Sequence, residues 1–346
     1  MTQSPNPSHV LHEVRVVRAN PAQQAKRWRF HHHTWGDGFD LTLYLRRESA
    51  LCESEYCRSS LAMWLLVGER DEVLASCESY ASQAWVVDAD GKLTREPMHT
   101  LASVVVEPAL RNQGYATKLL DLVLKDLRVA GGSLTTLFSD VGPQLYRRSG
   151  HLLHPARESV VRVEAAAKWP SAVNEIGIGD VADLLGPEAD RQAAWLGASS
   201  VPAFAEIATV ERATWFHTRS QYRAWARGQT PHPVVGAACA AGGFCLWTSD
   251  AAESVLHILL WRPHSGDGAR RLTRAAVAHA AEVGLEQVVW WDADRDTGLD
   301  PFHRAPLQPE GAEPRERQGG LPMVAWLDSS RPMPLVWMGI DRLGWR

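Results

Sequence analysis

Arg111-Asn112-Gln113-Gly114-Tyr115-Ala116-Thr117 is where residue type and spacing first point to chemistry. The segment follows an apolar, valine-rich run, Ala102–Val106, and a turn at Glu107-Pro108. It opens onto Leu119, Leu120, Val123, Leu124 and Leu127, the stripe of a helix packed on a sheet. A strand running into a loop that ends at a helix N-terminus makes an anion site. The first helical turn has unpaired backbone N–H groups, and the macrodipole adds partial positive charge. Gly114 carries no Cβ and lets the backbone approach a ligand closely. Ala116 keeps the next turn slim, and Arg111 adds charge suited to a phosphate. On their own, these residues also describe a plain strand–helix unit with a surface loop.

A second segment follows at a suitable distance, Ser139-Asp140-Val141-Gly142-Pro143-Gln144-Leu145-Tyr146-Arg147-Arg148-Ser149-Gly150-His151. Arg111-x-x-Gly114-x-Ala116 resembles the acetyl-CoA pyrophosphate loop of the GNAT superfamily of N-acyltransferases. The second segment resembles that family's Asn-x-x-Ala-x-x-Leu/Phe-Tyr-x-Lys/Arg-x-Gly-Phe pattern. Here Ser139 stands for the usual Asn, Gly142 for Ala and His151 for Phe. Shorter matches at Leu43–Glu48, Leu74–Tyr80 and Leu137–Gly142, with a long Trp-containing C-terminal extension, resemble the fungal-type lysine N6-acetyltransferases. In those enzymes free L-lysine is the acceptor and acetylation feeds lysine catabolism.

The resemblance implies acetyl-CoA as co-substrate and direct attack by an amine, with no covalent enzyme intermediate and no metal. Backbone groups of Val104, Val105 and Val106 would pair with the pantetheine arm. Arg111, Asn112, Gln113, Gly114, Tyr115, Ala116 and Thr117 would hold the pyrophosphate, with Ser139 beside the cofactor. Tyr146 would be the general acid for the departing thiolate. An alkylamine with an unperturbed pKa of about 10.4 must lose a proton before it can attack. Glu78 is the first candidate base, His99 the second and Asp140 the third. A plain strand carboxylate accounts for Glu78 equally well, and an N-cap for Asp140. In the GNAT pattern the helices after the first strand wall the acceptor cleft. Tyr44 and Glu48 are thereby candidate substrate contacts, although an ordinary amphipathic helix also explains them.

The elements that must position these groups read in order. Val10–Arg18 is a strand, and Asn20-Pro21 starts a helix. A second helix follows Asp40. Leu61–Val67, Val73–Tyr80 and Met98–Val106 are strands, with Ala84–Val87 either extending the second or forming an insertion. After the cofactor helix come a strand at Ser133–Phe138, a helix over Gly142–Ser149 and a closing strand at Ser159–Ala165. The predicted class is α/β (α+β): a GNAT fold with a central, mixed, mostly antiparallel sheet flanked by helices.

A boundary at Lys168-Trp169-Pro170 divides a catalytic domain, 10–167, from a C-terminal half, 168–346, after a disordered 1–9. In the second half, helices are predicted at Gly177–Asp190, Glu211–Trp225 and Gly268–Val283. Strands are predicted at Gly236–Thr248, Ser254–Arg262 and Glu286–Trp291, repeating the core order of the first half. Arg262–Ala269 stands where a second cofactor loop would be, but it lacks the spacing and carries Asp267. The half reads as a degenerate GNAT-like domain that does not bind acetyl-CoA and contributes to the acceptor pocket. Asp292–Gly320 reads as a long loop, followed by short strands at Met323–Leu327 and Leu335–Met338. Most of the 15 tryptophans lie in this half, where aromatic walls suit an alkyl-ammonium chain.

A net charge of −4 provides no basic field for nucleic acid or a membrane surface. No apolar run is long enough to span a bilayer. Five irregularly spaced cysteines fit reduced thiols in the cytoplasm. The His31-His32-His33 run lacks neighbours at metal-ligand spacing and reads as a polar segment. The expected partner is a small-molecule amine, with the protein a monomer or homodimer. Other amines (a polyamine, a toxin amine, a peptide lysine) and a non-catalytic acetyl-CoA-binding role are the alternatives.

Overall fold

The computed structural model describes residues 13–36, 38–164, 166–240, 243–291, 310–331 and 335–345. In chain order the elements are β1 (Arg15–Arg18), α1 (Pro21–Trp35), α2 (Leu41–Glu53), α3 (Glu55–Ser60), β2 (Leu61–Val67), β3 (Val73–Val87), β4 (Leu93–Val106), α4 (Tyr115–Val129), β5 (Leu134–Ser139), α5 (Gln144–Arg147), β6 (Leu152–Leu153), β7 (Arg157–Arg162), β8 (Val173–Gly177), α6 (Val181–Gly197), β9 (Ala203–Glu206), α7 (Val210–Trp225), β10 (Val234–Cys239), β11 (Gly243–Asp250), β12 (Val255–Pro263), α8 (Gly266–Glu282), β13 (Gln287–Trp291), β14 (Glu313–Glu316), β15 (Leu321–Trp326) and β16 (Val336–Trp337).

Local chemistry accounts for the helix starts. Asn20 and Gln23 cap one another reciprocally ahead of α1, with Pro21 in the first turn. Asp40 accepts from the Leu43 amide to start α2, and Ser265 accepts from the Gly268 amide to start α8. Leu119, Leu120, Val123 and Leu127 of α4 are fully buried against Leu101, Cys77 and Leu137 of the sheet. This is the predicted stripe doing its predicted packing.

Two mixed sheets form. The first runs β1-β2-β3-β4-β5-β15-β6, with β9 on the distal half of β3 and β16 on β9. Its neighbours are antiparallel except β4–β5 and β9–β16. The second runs β14-β7-β13-β12-β11-β10-β8, with β12–β13 its parallel pair. The fold is therefore two α/β units of the expected kind, each with a helix crossing between its parallel strands.

Several boundaries differ from the sequence reading. Ala84–Val87 extends β3, because β9 gives that half of the strand a partner. Gly236–Thr248 is not one strand but lies in the antiparallel pair β10 and β11. The helix after Gly142 is a single short turn, Gln144–Arg147. The helix expected from Gly177 starts at Val181 and continues to Gly197 through Pro187. The first-half closing strand is β7, and it sits in the second sheet between β14 and β13. In exchange, β15 from the second half inserts between β5 and β6 of the first sheet. The division at residue 168 thus separates the sequence but not the sheets. Residues 1–12, with the start of the strand expected from Val10, and 292–309 of the expected long loop lie outside the described residues, and Glu313–Glu316 of that loop is the strand β14, paired with β7.

One core joins the halves. Leu51, Tyr56, Cys57 and Tyr80 pack with Ile176, Trp215, Phe216, Leu246, Leu259, Leu260 and Leu343. Beside it, Arg262 is buried between the carboxylates of Glu188 and Asp341. All five cysteines are free thiols. No described helix is long and apolar enough to cross a membrane.

Candidate active site

The site begins with a parting of strands. β4 and β5 pair from Met98–Leu134 to Leu101–Leu137 and then separate. At the same level the β3–β4 register slips: Ser76 faces Val105 while Glu78 faces Ala102. Ser103 and Val104 therefore oppose Cys77 alone, a β-bulge, with Ser103 in the left-handed region at φ 53°. The bulge bends β4 away from β5 and leaves its backbone groups beyond Leu101 facing a cleft of about 870 Å³. Val104, Val105 and Val106 line that cleft.

The loop after β4 turns on two left-handed residues, Asn112 at φ 62° and Gly114 at φ 86°. Such a turn gathers successive N–H groups into an anion-binding concavity. No side chain caps the start of α4 at Gly114. A Cβ at Gly114 would meet nothing within 4 Å, so conformation rather than space requires glycine there. Arg111, Asn112, Gly114, Tyr115, Ala116 and Thr117 line the cleft. Gln113 does not; its amide donates to the Ala109 carbonyl at 3.2 Å. The entry to the loop is pinned from α1. Buried Arg27 donates to Ser76 Oγ at 3.0 Å and to Glu107 at 2.6 Å.

Tyr146 lies on α5, buried, with its side chain on the cleft. Burial, reinforced by Cys77 and Asp140, pushes its phenol above the usual range and keeps it protonated. His151 packs edge-on at 6.3 Å between ring centroids. Its nitrogens lie 3.1 Å from Thr135 Oγ1 and 3.2 Å from Ser149 Oγ. Burial drops its pKa to about 4, so it fills the expected Phe position as a neutral ring. Ser139 does not reach the cleft. Its hydroxyl donates to the Gly142 carbonyl at 2.7 Å and accepts from the Val141 amide, closing its own turn. Asp140 does line the cleft, and its Oδ1 accepts from the Gly320 amide at 2.7 Å, tethering the approach to β15.

Glu78 sits across the bulge, 7 % exposed, and lines the cleft. Both Ser103 Oγ (2.9 Å) and Tyr80 Oη (3.0 Å) donate to its Oε2. Burial raises its pKa to about 7, Glu48 adds to the rise, and the two hydroxyls oppose it. A carboxylate poised near neutrality in a cleft is suited to general-base work. His99 is not: it pairs opposite Ala81 before the bulge, beside Gly132 at the far end of α4, and does not line the cleft. Burial lowers its pKa to about 4, with Arg18 adding to the fall. Tyr44 and Glu48 of α2 both face the cleft, and buried Arg47 pairs with Glu48 at 2.8 Å.

Sequence reasoning missed Tyr80 and Ser103, whose approach to Glu78 depends on the bulge register. It also missed Trp215 and Arg219 of α7 and Trp345, which line the same cleft from the second half. The sequence predicts the helix at Glu211–Trp225, but nothing local indicates the surface it covers. The rings continue from Glu78: its partner Tyr80 stacks on Tyr56 at 5.7 Å, and Tyr56 meets Trp215 edge-on at 6.5 Å.

The second sheet repeats the strand geometry, and its described residues fill the corresponding place with side chains. β12 is bulged at Leu259, and its parallel pairing with β13 ends at His257–Val289. Beyond that point Trp261 and Trp290 meet at 5.6 Å, and Arg262 and Asp341 form a buried pair. At the start of α8, Asp267 pairs with Arg270 and Arg271. Away from the cleft, His232/His279/Glu282 and Asp250/Glu253/His257 each gather three side chains with ligand-type atoms within 4.8 Å. In the second group Asp250 is already held by Arg223.

Residues 26–152 match the acetyltransferase (GNAT) family, and residues 159–346 match the LYC1 GNAT-like C-terminal domain. No curated protein sequence matches the chain. Among solved structures, a GCN5-related N-acetyltransferase from Kribbella flavida superposes with a TM-score of 0.60 at 19% identity, covering 92% of this chain and 72% of that one. A probable N-acyltransferase from Enterococcus faecalis V583 gives 0.57 at 13% identity, covering 91% and 73%. A putative acetyltransferase from Pyrococcus horikoshii gives 0.52 at 10% identity, covering 96% and 95%. These likenesses extend over both halves and are likenesses of fold. With family matches over 26–152 and 159–346 and the splayed, bulged strand leading to an uncapped helix, the chain belongs to the GNAT family of acetyltransferases.

Proposed function

We propose that this protein acetylates the N6 amine of free L-lysine, or an amine of the same shape, with Glu78 as base and Tyr146 as acid. The observation that carries the reading is the pairing of these two groups in one cleft: a carboxylate poised near pH 7 and a phenol held protonated. The parted strand and the left-handed loop fit a pantetheine arm and a pyrophosphate. Bound acetyl-CoA supplies the electrophile, a thioester carbonyl. Glu78 takes one proton from the ammonium group, freeing the lone pair for attack on that carbon. The new C–N bond forms as the C–S bond breaks. Tyr146 gives its proton to the leaving thiolate and regains one from the acylated nitrogen, and the proton on Glu78 leaves to solvent.

Three features support an amino-acid acceptor. Trp215 and Trp345 offer aromatic walls to an alkyl-ammonium chain. Arg219 lies beside both rings, 5.7 Å and 4.8 Å from their centroids, and brings a guanidinium suited to an α-carboxylate. The second-half family match agrees with the resemblance to lysine N6-acetyltransferases. In this reading the second half completes the acceptor pocket and binds no acetyl-CoA of its own. The test is thiol release from acetyl-CoA across L-lysine, cadaverine, a polyamine and a lysine peptide, with Tyr146→Phe as control. Selective turnover of L-lysine, lowered in the variant, is expected. Turnover of cadaverine or peptide but not lysine would overturn the acceptor assignment.

A further inference from the structure

The carboxylate of Glu78 is held unevenly. Both hydroxyls that reach it, from Ser103 and from Tyr80, donate to Oε2. The donors come from different strands: Tyr80 lies two residues along β3, and Ser103 is the left-handed residue of the β4 bulge. A non-glycine residue at φ 53° costs about 1–2 kcal/mol of backbone strain. Here that conformation coincides with a hydroxyl that donates to the buried carboxylate of Glu78. Ser103 also lines the cleft itself.

We infer that Ser103 is a positioning residue for the base. With Tyr80 it fixes Oε2, so that Oε1 is the atom that takes the amine's proton. The inference rests on Glu78 being the base. The titratable and charged neighbours that face Glu78 are Glu48 from α2, which disfavours its ionised form, Tyr80 on its own strand, and Cys52 and Cys77, whose thiols burial holds neutral. Against them the two hydroxyls favour the carboxylate, because each donates to the charged form. Removing one therefore makes Glu78 a group that ionises only at higher pH, and it frees the carboxylate to rotate.

The experiment is the pH profile of kcat/KM for the whole chain, with whichever amine it turns over, for wild type, Ser103→Ala, Ser103→Gly, Tyr80→Phe and Glu78→Gln. Gly suits the left-handed backbone and Ala does not, yet both lack the hydroxyl. The acidic limb should move up by about one pH unit in both Ser103 variants, and in the same direction in Tyr80→Phe. A shift in Ser103→Ala that Ser103→Gly does not share would assign the effect to backbone distortion and overturn the inference. So would a drop in kcat with an unmoved limb in both. Should Glu78→Gln keep full activity and the same limb, the base assignment itself fails while the acetyltransferase stands.

Discussion

Burial raises the pKa of both Glu78 and Tyr146, yet only the carboxyl then titrates near neutral pH. The carboxyl is lifted to about 7 and is largely ionised above that value, whereas the phenol's titration range is lifted further above neutrality. The rate should therefore rise about tenfold per pH unit below 7 and level off above it, as initial rates from pH 5.5 to 9 would show. Tyr146→Phe should lower kcat by roughly 10²–10⁴-fold, the usual contribution of a positioned proton donor. The same shift has a consequence for stability, with a definite sign. A carboxyl whose folded pKa exceeds its unfolded value favours folding while protonated and opposes it once ionised. Stability is thus lost as pH rises from about 4.5 to about 7. Glu78→Gln removes that penalty, so the variant should gain on wild type by up to about 3 kcal/mol between pH 5 and pH 8. Denaturant midpoints at the two pH values measure the difference; an equal gain at both would mean that Glu78 ionises normally.

At the level of elements, the cofactor side depends on two backbone devices, the β4 bulge and the loop into α4. Gly114→Ala probes the second. Its Cβ meets nothing, so the change acts only through φ 86°, at a cost of about 1–2 kcal/mol. If the loop relaxes when empty, that cost falls on binding, and acetyl-CoA affinity by calorimetry should drop about tenfold. An unchanged affinity with a lowered denaturant midpoint would show that the empty loop already holds this turn, and an unchanged affinity with unchanged stability that the turn is not needed. This strand–loop–helix unit was legible in sequence because its signals are local: an apolar run, a glycine, a 3.6-residue stripe. Tyr146, Tyr44 and Glu48, expected from the family resemblance, and Glu78, expected from its strand beside the central one, all line the cleft. The misses were of another kind. Ser139 carries the right position but a hydroxyl too short to leave its own turn. Ser103 and Tyr80 matter through a one-residue slip between β3 and β4, and register is a pairing property that neither strand's alternation reveals alone.

The strand exchange makes the two halves one structure. β5 carries the edge from which β4 diverges, and its other edge is covered by β15, paired from Leu321–Ser139 to Trp326–Leu134. Met323, Val324 and Ala325 of that strand are buried. Met323 packs under α4 with Leu119 and Leu137, and Val324 lies with Met98 and Leu134. Burying Met and Val side chains is worth about 1.5–3 kcal/mol each, against about 5–15 kcal/mol for a whole domain. Losing β15 together with the shared core around Trp215 and Phe216 removes a comparable amount and bares an apolar strand edge. A fragment of residues 1–167, although it holds every cofactor-side residue named above, should therefore fail to fold: poor amide dispersion by NMR, aggregation, no acetyl-CoA binding. The full chain should instead unfold in one transition seen alike by far-UV and tryptophan signals, because β7 and β15 tie each sheet to the other half. A dispersed spectrum and cofactor binding from the fragment would show that the exchanged strand only decorates a self-sufficient domain. Two separate transitions in the full chain would say the same of the shared core.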